Sequence, residues 1–190
     1  TYLCSGKSVV QNGQPVPFRE QVFPLTIIAL AGLPAGTYHV LVPYLAPAEP
    51  TAYQVLVTQG YQSFRARDAF EENDYCDAAK PLLSTNGATL TIDNPHDIDW
   101  YQFTVGGLAA TVTVNASAGS AVSPNLPDPD LDLYLVRDLR PDSLRLVQAG
   151  TVEGPTESVS ALVPAGNYFL VVVDFAASPT QYTLSSTVAS

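Results

Sequence analysis

His96 to Val105, HDIDWYQFTV, decides how the rest of the chain is read. As a strand, its alternation places Tyr101, Phe103 and Val105 on one face and Trp100, Gln102 and Thr104 on the other. Asp97 and Asp99 share the parity of the apolar set at the strand's entrance. Two carboxylates aimed toward a core need compensation, because unpaired buried charge is very costly. Either they sit in water at the open rim of a sandwich, or a cation neutralises them. A second acidic group, Glu71-Glu72-Asn73-Asp74, lies upstream, just before the apolar pattern resumes. These residues raise the expectation that the two groups meet.

Outward from that strand, helical periodicity is almost absent. Short β-branched and aromatic runs recur, bounded by Gly, Pro, Asn and Asp, the pattern of an all-β sandwich or barrel. Strands are predicted at Tyr2 to Cys4, Leu25 to Leu30, Thr37 to Val42 and Ala52 to Thr58. Further strands follow at Thr89 to Ile92, Trp100 to Val105, Ala110 to Ala116 and Leu131 to Arg137. The last four are Arg145 to Ala149, Glu157 to Leu162, Tyr168 to Asp174 and Gln181 to Thr187. A short helix is predicted only at Asp77 to Leu83, where the Asp could cap it. Leu131, Leu133 and Leu135 would face inward, with Asp130, Asp132 and Tyr134 outward. Tyr168 to Val173 is apolar at both parities, which predicts a central strand covered on each side. Trp100 reads as a packing residue, with an interface role as the alternative.

An internal repeat organises the chain. Leu33-Pro34-Ala35-Gly36-Thr37-Tyr38-His39-Val40 returns as Val163-Pro164-Ala165-Gly166-Asn167-Tyr168-Phe169-Leu170. Thr51-Ala52-Tyr53-Gln54-Val55 then returns as Thr180-Gln181-Tyr182-Thr183-Leu184. A Pro-Ala-Gly turn feeding a strand, then a loop, then a Tyr-bearing strand is one unit used twice. Residues 68–190 are expected to form a complete β-sandwich and residues 1–60 only the second half of another copy, joined by a linker at 61–67. A half copy would borrow strands from another chain, pack on the complete unit, or belong to a cleaved partner. An exposed edge there would favour a homodimer.

The net charge of −10, from 18 acidic against 8 basic residues, argues against nucleic acid or an anionic membrane as partner. It fits a secreted protein, a cation binder, or both. At 46% hydrophobic the chain has material for a core. No apolar run approaches the ~20 residues of a membrane span. The chain begins with Thr and contains no Met, which reads as a piece of something longer. Cys4 and Cys76 are the two cysteines. As a disulfide they would close a loop of about 70 residues, worth roughly 4 kcal/mol; the alternative is two buried free thiols.

Other motifs are weaker. Asp128, Asp130 and Asp132 alternate like an EF-hand start, but Pro129 intervenes, Leu133 replaces the turn Gly and Leu139 replaces the closing Glu. Asn115-Ala116-Ser117 is a glycosylation sequon in form but falls in a strand. His39 matches Phe169 in the repeat and reads as a packed or rim residue. His96 beside Asp97 hints at a dyad, yet no nucleophile motif accompanies it.

Taken in order, Asp68-Ala-Phe-Glu-Glu-Asn-Asp74, Asp97-Ile-Asp-Trp-Tyr-Gln-Phe103, Leu131-Asp-Leu-Tyr-Leu135, Pro164-Ala-Gly-Asn-Tyr168 and Tyr182-Thr-Leu184 resemble the bacterial pre-peptidase C-terminal domain. The likeness covers roughly residues 67 to 188, and residues 33 to 58 resemble the closing half of a second copy. The resemblance implies an antiparallel jelly-roll-like sandwich that accompanies secreted bacterial enzymes, notably peptidases, and is not itself catalytic. Related collagen-binding domains of secreted collagenases bind calcium and matrix. The positions matching their calcium ligands are Glu71, Asn73, Asp74, Asp97 and Asp99, while Ala69 stands where some relatives carry another acidic ligand. Asp68 is its neighbour but has the wrong parity.

Calcium takes six to eight hard oxygen ligands in irregular geometry, which suits carboxylates and an amide gathered from two segments. Against it stands a plain alternative, in which the acidic segment is a solvated loop and Asp97 and Asp99 cap turns. Three function classes follow. The first is a calcium-stabilised accessory module that helps fold, shield or target the catalytic domain of its precursor. The second is an adhesion module binding matrix, glycan or protein polymer through exposed tyrosines, of which the chain has ten. The third, an enzyme pairing Glu71 or Glu72 with Asp99 as acid and base, would be decided by the carboxylate separation.

Overall fold

The computed structural model describes residues 3–4, 7–12, 14–15, 37, 65–95, 97–120, 126–140 and 143–189. The predicted strands Leu25 to Leu30 and Ala52 to Thr58, all of Thr37 to Val42 but Thr37, and both His39 and His96 lie outside the described residues.

Three short strands open the chain: β1 (Leu3–Cys4), β2 (Lys7–Gln11) and β3 (Gln14–Pro15). β4 (Lys80–Pro81) and β5 (Leu90–Ile92) precede the long β6 (Ile98–Ala118). β7 (Leu131–Leu139), β8 (Ser143–Gly150), the long β9 (Thr156–Asp174) and β10 (Thr180–Ala189) complete the set. The architecture is all-β and forms a sandwich, because β6 and β9 each bend and serve both layers. The first half of β6 pairs antiparallel with the second half of β9, which also pairs with β7, and β7 with β8. The second half of β6 pairs with the first half of β9 and with β10, which carries β5 at Thr180 to Tyr182.

The corner between the layers lies at a register shift between Val105 and Ala109, opposite Pro164 to Gly166. Gly107 takes φ +70° there, a conformation that costs a residue with a Cβ. Strands that switch sheets at a bulge are how orthogonal corners are built. Gly106-Gly107 and Pro164-Ala165-Gly166, which read as breaks in the sequence, therefore bend continuous strands. The predicted pairs Trp100 to Val105 with Ala110 to Ala116, and Glu157 to Leu162 with Tyr168 to Asp174, are single strands.

Between the layers lies one core, built from Tyr101, Phe103 and Val105, the three leucines of β7, and Tyr168, Leu170 and Val172. Val112, Val114, Val159, Tyr182, Leu184, Leu90 and Ile92 face them from the other layer. A second apolar group, including Trp100, Tyr134, Val136, Phe169 and Val171, covers the opposite face of the first layer, with Cys76 and Ala79 packed into it. Trp100 meets Phe169 edge-on at 5.5 Å between ring centres. Because both faces of this layer are covered, the second half of β9 is buried throughout, as expected of a central strand.

That second group corrects one expectation. Asp132 and Tyr134 do not face solvent but are buried, and the Tyr134 hydroxyl donates to Asp132 Oδ2 at 2.9 Å. The predicted helix at Asp77 to Leu83 is likewise absent. Two 3-10 turns, Cys76–Ala78 and Leu82–Thr85, replace it, since Pro81 removes a donor and obstructs the preceding turn. Between them Lys80 and Pro81 run parallel to β6.

The amino-terminal strands attach to the same layer: β2 runs parallel to β8 through Val9 opposite Leu144 and Val10 opposite Arg145. Arg65 is tied down as well, its side chain donating to the Pro179 and Ser120 carbonyls at 3.2 and 3.1 Å. Among the described residues no helix is long and apolar enough to cross a membrane.

Candidate metal centre

The acidic segment is held against the sandwich by its main chain. Asp68 anchors its start, accepting from the Phe70 amide at 2.7 Å and from the Thr91 amide of β5 at 2.6 Å. Its side chain is thereby used as a cap, with its oxygens committed to backbone donors. The Glu71–Glu72 peptide bond that follows is cis. The Asn73 carbonyl then accepts from the Trp100 amide at 2.8 Å. The segment thus lies beside the strand that carries Asp99, with Asp97 just before it.

A turn positions the second acidic group. The Asp97 amide donates to the Asn94 carbonyl at 3.2 Å, and Asp97 Oδ2 accepts from the Asp93 amide at 2.6 Å. Asp93, Asp97 and Asp99 have no solvent exposure. Ligand oxygens of Glu71, Asp93 and Asp97 come within 4.8 Å of one another, a separation that a single ion can bridge. Asp93 was not in the predicted set. Its signal was present in the sequence, since Asn94-Pro95 marks a turn whose two ends are Asp93 and Asp97. Asp93 also lies 3.4 Å from the Arg67 guanidinium, which binds Glu72 at 2.8 Å.

Of the five predicted residues, Glu71 and Asp97 stand in this tight group, whereas Asp74 and Asp99 lie outside it. All five nonetheless share one property. Both Glu71 oxygens, Asn73 Oδ1, Asp74 Oδ1, Asp97 Oδ1 and Asp99 Oδ1 are buried with no hydrogen-bond partner. Buried polar atoms are nearly always paired, so a concentration of bare acceptors in two adjacent segments requires an explanation. Asn73 Nδ2, also buried without a partner, and the Asn73 backbone amide beside Glu71 are the donors at hand, and the oxygens that outnumber them are the hard ligands a calcium ion takes.

Electrostatics point the same way. Burial, reinforced by Asp74, Asp68 and Asp93, pushes the Glu71 carboxyl up to about 8. Burial also raises Asp97 and Asp99 far above the usual carboxylate range, with Asp99 and Glu71 respectively as the leading charged neighbours. Asp74 is raised, again chiefly by burial. Without a cation such a group resists ionising together.

The other acidic collection behaves differently. Asp174 accepts from the amides of Asp130, Ala176 and Ser178 at 3.0, 3.0 and 3.1 Å. Asp130 Oδ1 accepts from the Gly154 amide at 2.7 Å, and Glu157 Oε1 from the Ser158 amide at 2.7 Å. These carboxylates cap loops, and of the EF-hand-like alternation Asp130 belongs to that arrangement while Asp132 accepts from Tyr134.

Cys76 is buried and disulfide-bonded. The Cys4 side chain lies outside the described residues. Among the described tyrosines, Tyr101, Tyr134, Tyr168 and Tyr182 are buried, so none of these four offers an exposed adhesion face.

No protein-family model matches the chain, and no curated protein matches it in sequence. Among solved structures it is similar to the pre-peptidase C-terminal domain of a collagenase from Bacillus anthracis, at 16% identity and TM-score 0.37, over 54% of this chain and 90% of that one. It is also similar to a mitogen derived from Yersinia pseudotuberculosis, at 13% identity and TM-score 0.27, over 48% and 85%.

Proposed function

We propose that this chain is a calcium-stabilised, non-catalytic accessory β-sandwich of a secreted bacterial protein, aiding the folding, shielding or targeting of a peptidase domain in its precursor. The observation that carries the metal is the set of buried, unpartnered oxygens on Glu71, Asn73, Asp74, Asp97 and Asp99. Glu71, Asp93 and Asp97, whose oxygens already lie within 4.8 Å of one another, would form the centre of the ligand set, and Asn73, Asp74 and Asp99 would draw in toward the ion through one oxygen each. The ion would supply charge neutralisation and cross-linking of the acidic segment to β6, with no chemistry on a substrate.

The accessory role rests on the ordered landmarks from Asp68 to Leu184 and on the placement of the acidic groups. Asp99 is sealed from solvent and Glu72 is an exposed partner of Arg67, which leaves no accessible acid–base pair between them. Residues 1–60 are proposed as the half copy and residues 61–67 as the linker. Cys4 is proposed as the partner of Cys76, the chain having no third cysteine.

Isothermal calorimetry of the chelator-treated protein with calcium tests the site. One bound calcium per chain is expected, with binding lost in Glu71→Gln. Heats equal to dilution would reject it.

A further inference from the structure

A buried hydrogen-bond chain leads from the metal centre into the core. The Tyr182 hydroxyl donates to Asp99 Oδ2. Tyr101 and Tyr182 hydroxyl oxygens lie 2.7 Å apart. A phenol carries one proton, so with that of Tyr182 committed to Asp99, Tyr101 must donate to Tyr182. Both rings are sealed in the inter-layer core. Asp99 and Tyr101 stand on the first half of β6, in one layer, and Tyr182 stands on β10, in the other.

Two consequences follow for Asp99. Its Oδ2 already accepts from Tyr182, which leaves Oδ1, the oxygen without a partner, as the one free to turn toward an ion. Its carboxyl plane is also fixed by a donor that cannot be replaced by water in so closed a site. Outer hydrogen bonds of this kind orient metal ligands, and losing one typically weakens metal affinity about 10- to 100-fold.

We infer that Tyr182, backed by Tyr101, is a positioning residue that holds Asp99 for one-oxygen coordination and carries ion occupancy across the sandwich into β10. This rests on the calcium site proposed above. It makes the ion a link between the two layers as well as a clasp on the acidic segment.

The test compares calcium titrations of the full chain with those of Tyr182→Phe, Tyr101→Phe and Tyr168→Phe. Tyr168 is a control from the same core, its hydroxyl donating to the Pro164 carbonyl at 2.7 Å with no path to Asp99. Tyr182→Phe should lose about tenfold or more in calcium affinity. Tyr101→Phe should lose less, and Tyr168→Phe should bind as the wild type does. Equal affinity in Tyr182→Phe and wild type would overturn the inference while leaving the calcium site standing. No calcium binding by the wild type would overturn both. Should Tyr182→Phe fail to fold, hydrogen exchange of the wild type decides: calcium must slow the amides of β10 around Tyr182, and unchanged exchange there would overturn the inference.

Discussion

The Trp100 amide donates to the Asn73 carbonyl at 2.8 Å, and that single bond places the acidic segment beside Asp99 on β6. The Trp100 ring points the other way, into the second apolar group against Phe169. One residue therefore joins the metal centre to the layer beneath it.

Trp100→Ala should cost about 3–5 kcal/mol, as large-to-small changes at sealed aromatic sites do. Denaturant unfolding of the chelated protein measures it. A loss under about 1 kcal/mol would mean that the second apolar group contributes little.

Asp97→Asn should have opposite effects in the two metal states. In chelator it removes a buried charge that faces Asp99 and Glu71, so the melting temperature should rise. With calcium present the variant lacks a ligand charge, so its melting temperature should fall below that of the wild type. Glu72→Gln, at an exposed ion pair, should change stability by no more than about 1 kcal/mol in either state.

Stability of the metal-free protein should depend on pH with a defined sign. Glu71 titrates near 8 in the fold against 4.5 unperturbed, so the folded state binds the extra proton. A raised value contributes stability in full below about 4.5 and loses it as pH climbs through about 8. Asp97 and Asp99 act in the same direction. Melting in chelator should therefore fall across that window, and calcium should flatten most of the slope. A smaller slope should persist with calcium and disappear in Asp132→Asn, because burial raises Asp132 to about 7 away from the metal centre.

Pairing of Cys4 with Cys76 predicts no free thiol in the unfolded, unreduced protein. Reduction should lower stability by roughly 4 kcal/mol. Two titratable thiols would contradict the pairing.

Much of this architecture is legible in alternation alone. The Asp97 and Asp99 parity places both carboxylates inside, and the apolar run at Tyr168 to Val173 marks the strand covered on both faces. What alternation cannot show is the second apolar group, which turns Asp132 and Tyr134 inward. Burial on the far side of a sheet depends on what other segments lay over it. The bends at Gly106-Gly107 and Pro164-Ala165-Gly166 look like chain breaks locally, since a bulged corner and a turn use the same residues. Asp93 is legible only through the Asn94-Pro95 turn it shares with Asp97, and its approach to Glu71 depends on the fold. Nor does the sequence hint that Tyr182 meets Asp99, which requires the two layers to be closed on one another.

The most direct measurement is thermal melting of one sample with calcium, then with excess chelator, then with calcium restored. A ligand that binds only the folded state raises its stability, by about 2.7 kcal/mol at a hundredfold excess over Kd. The melting temperature should rise with calcium, fall with chelator and recover on restoration. A melting temperature indifferent to all three additions would contradict the metal centre.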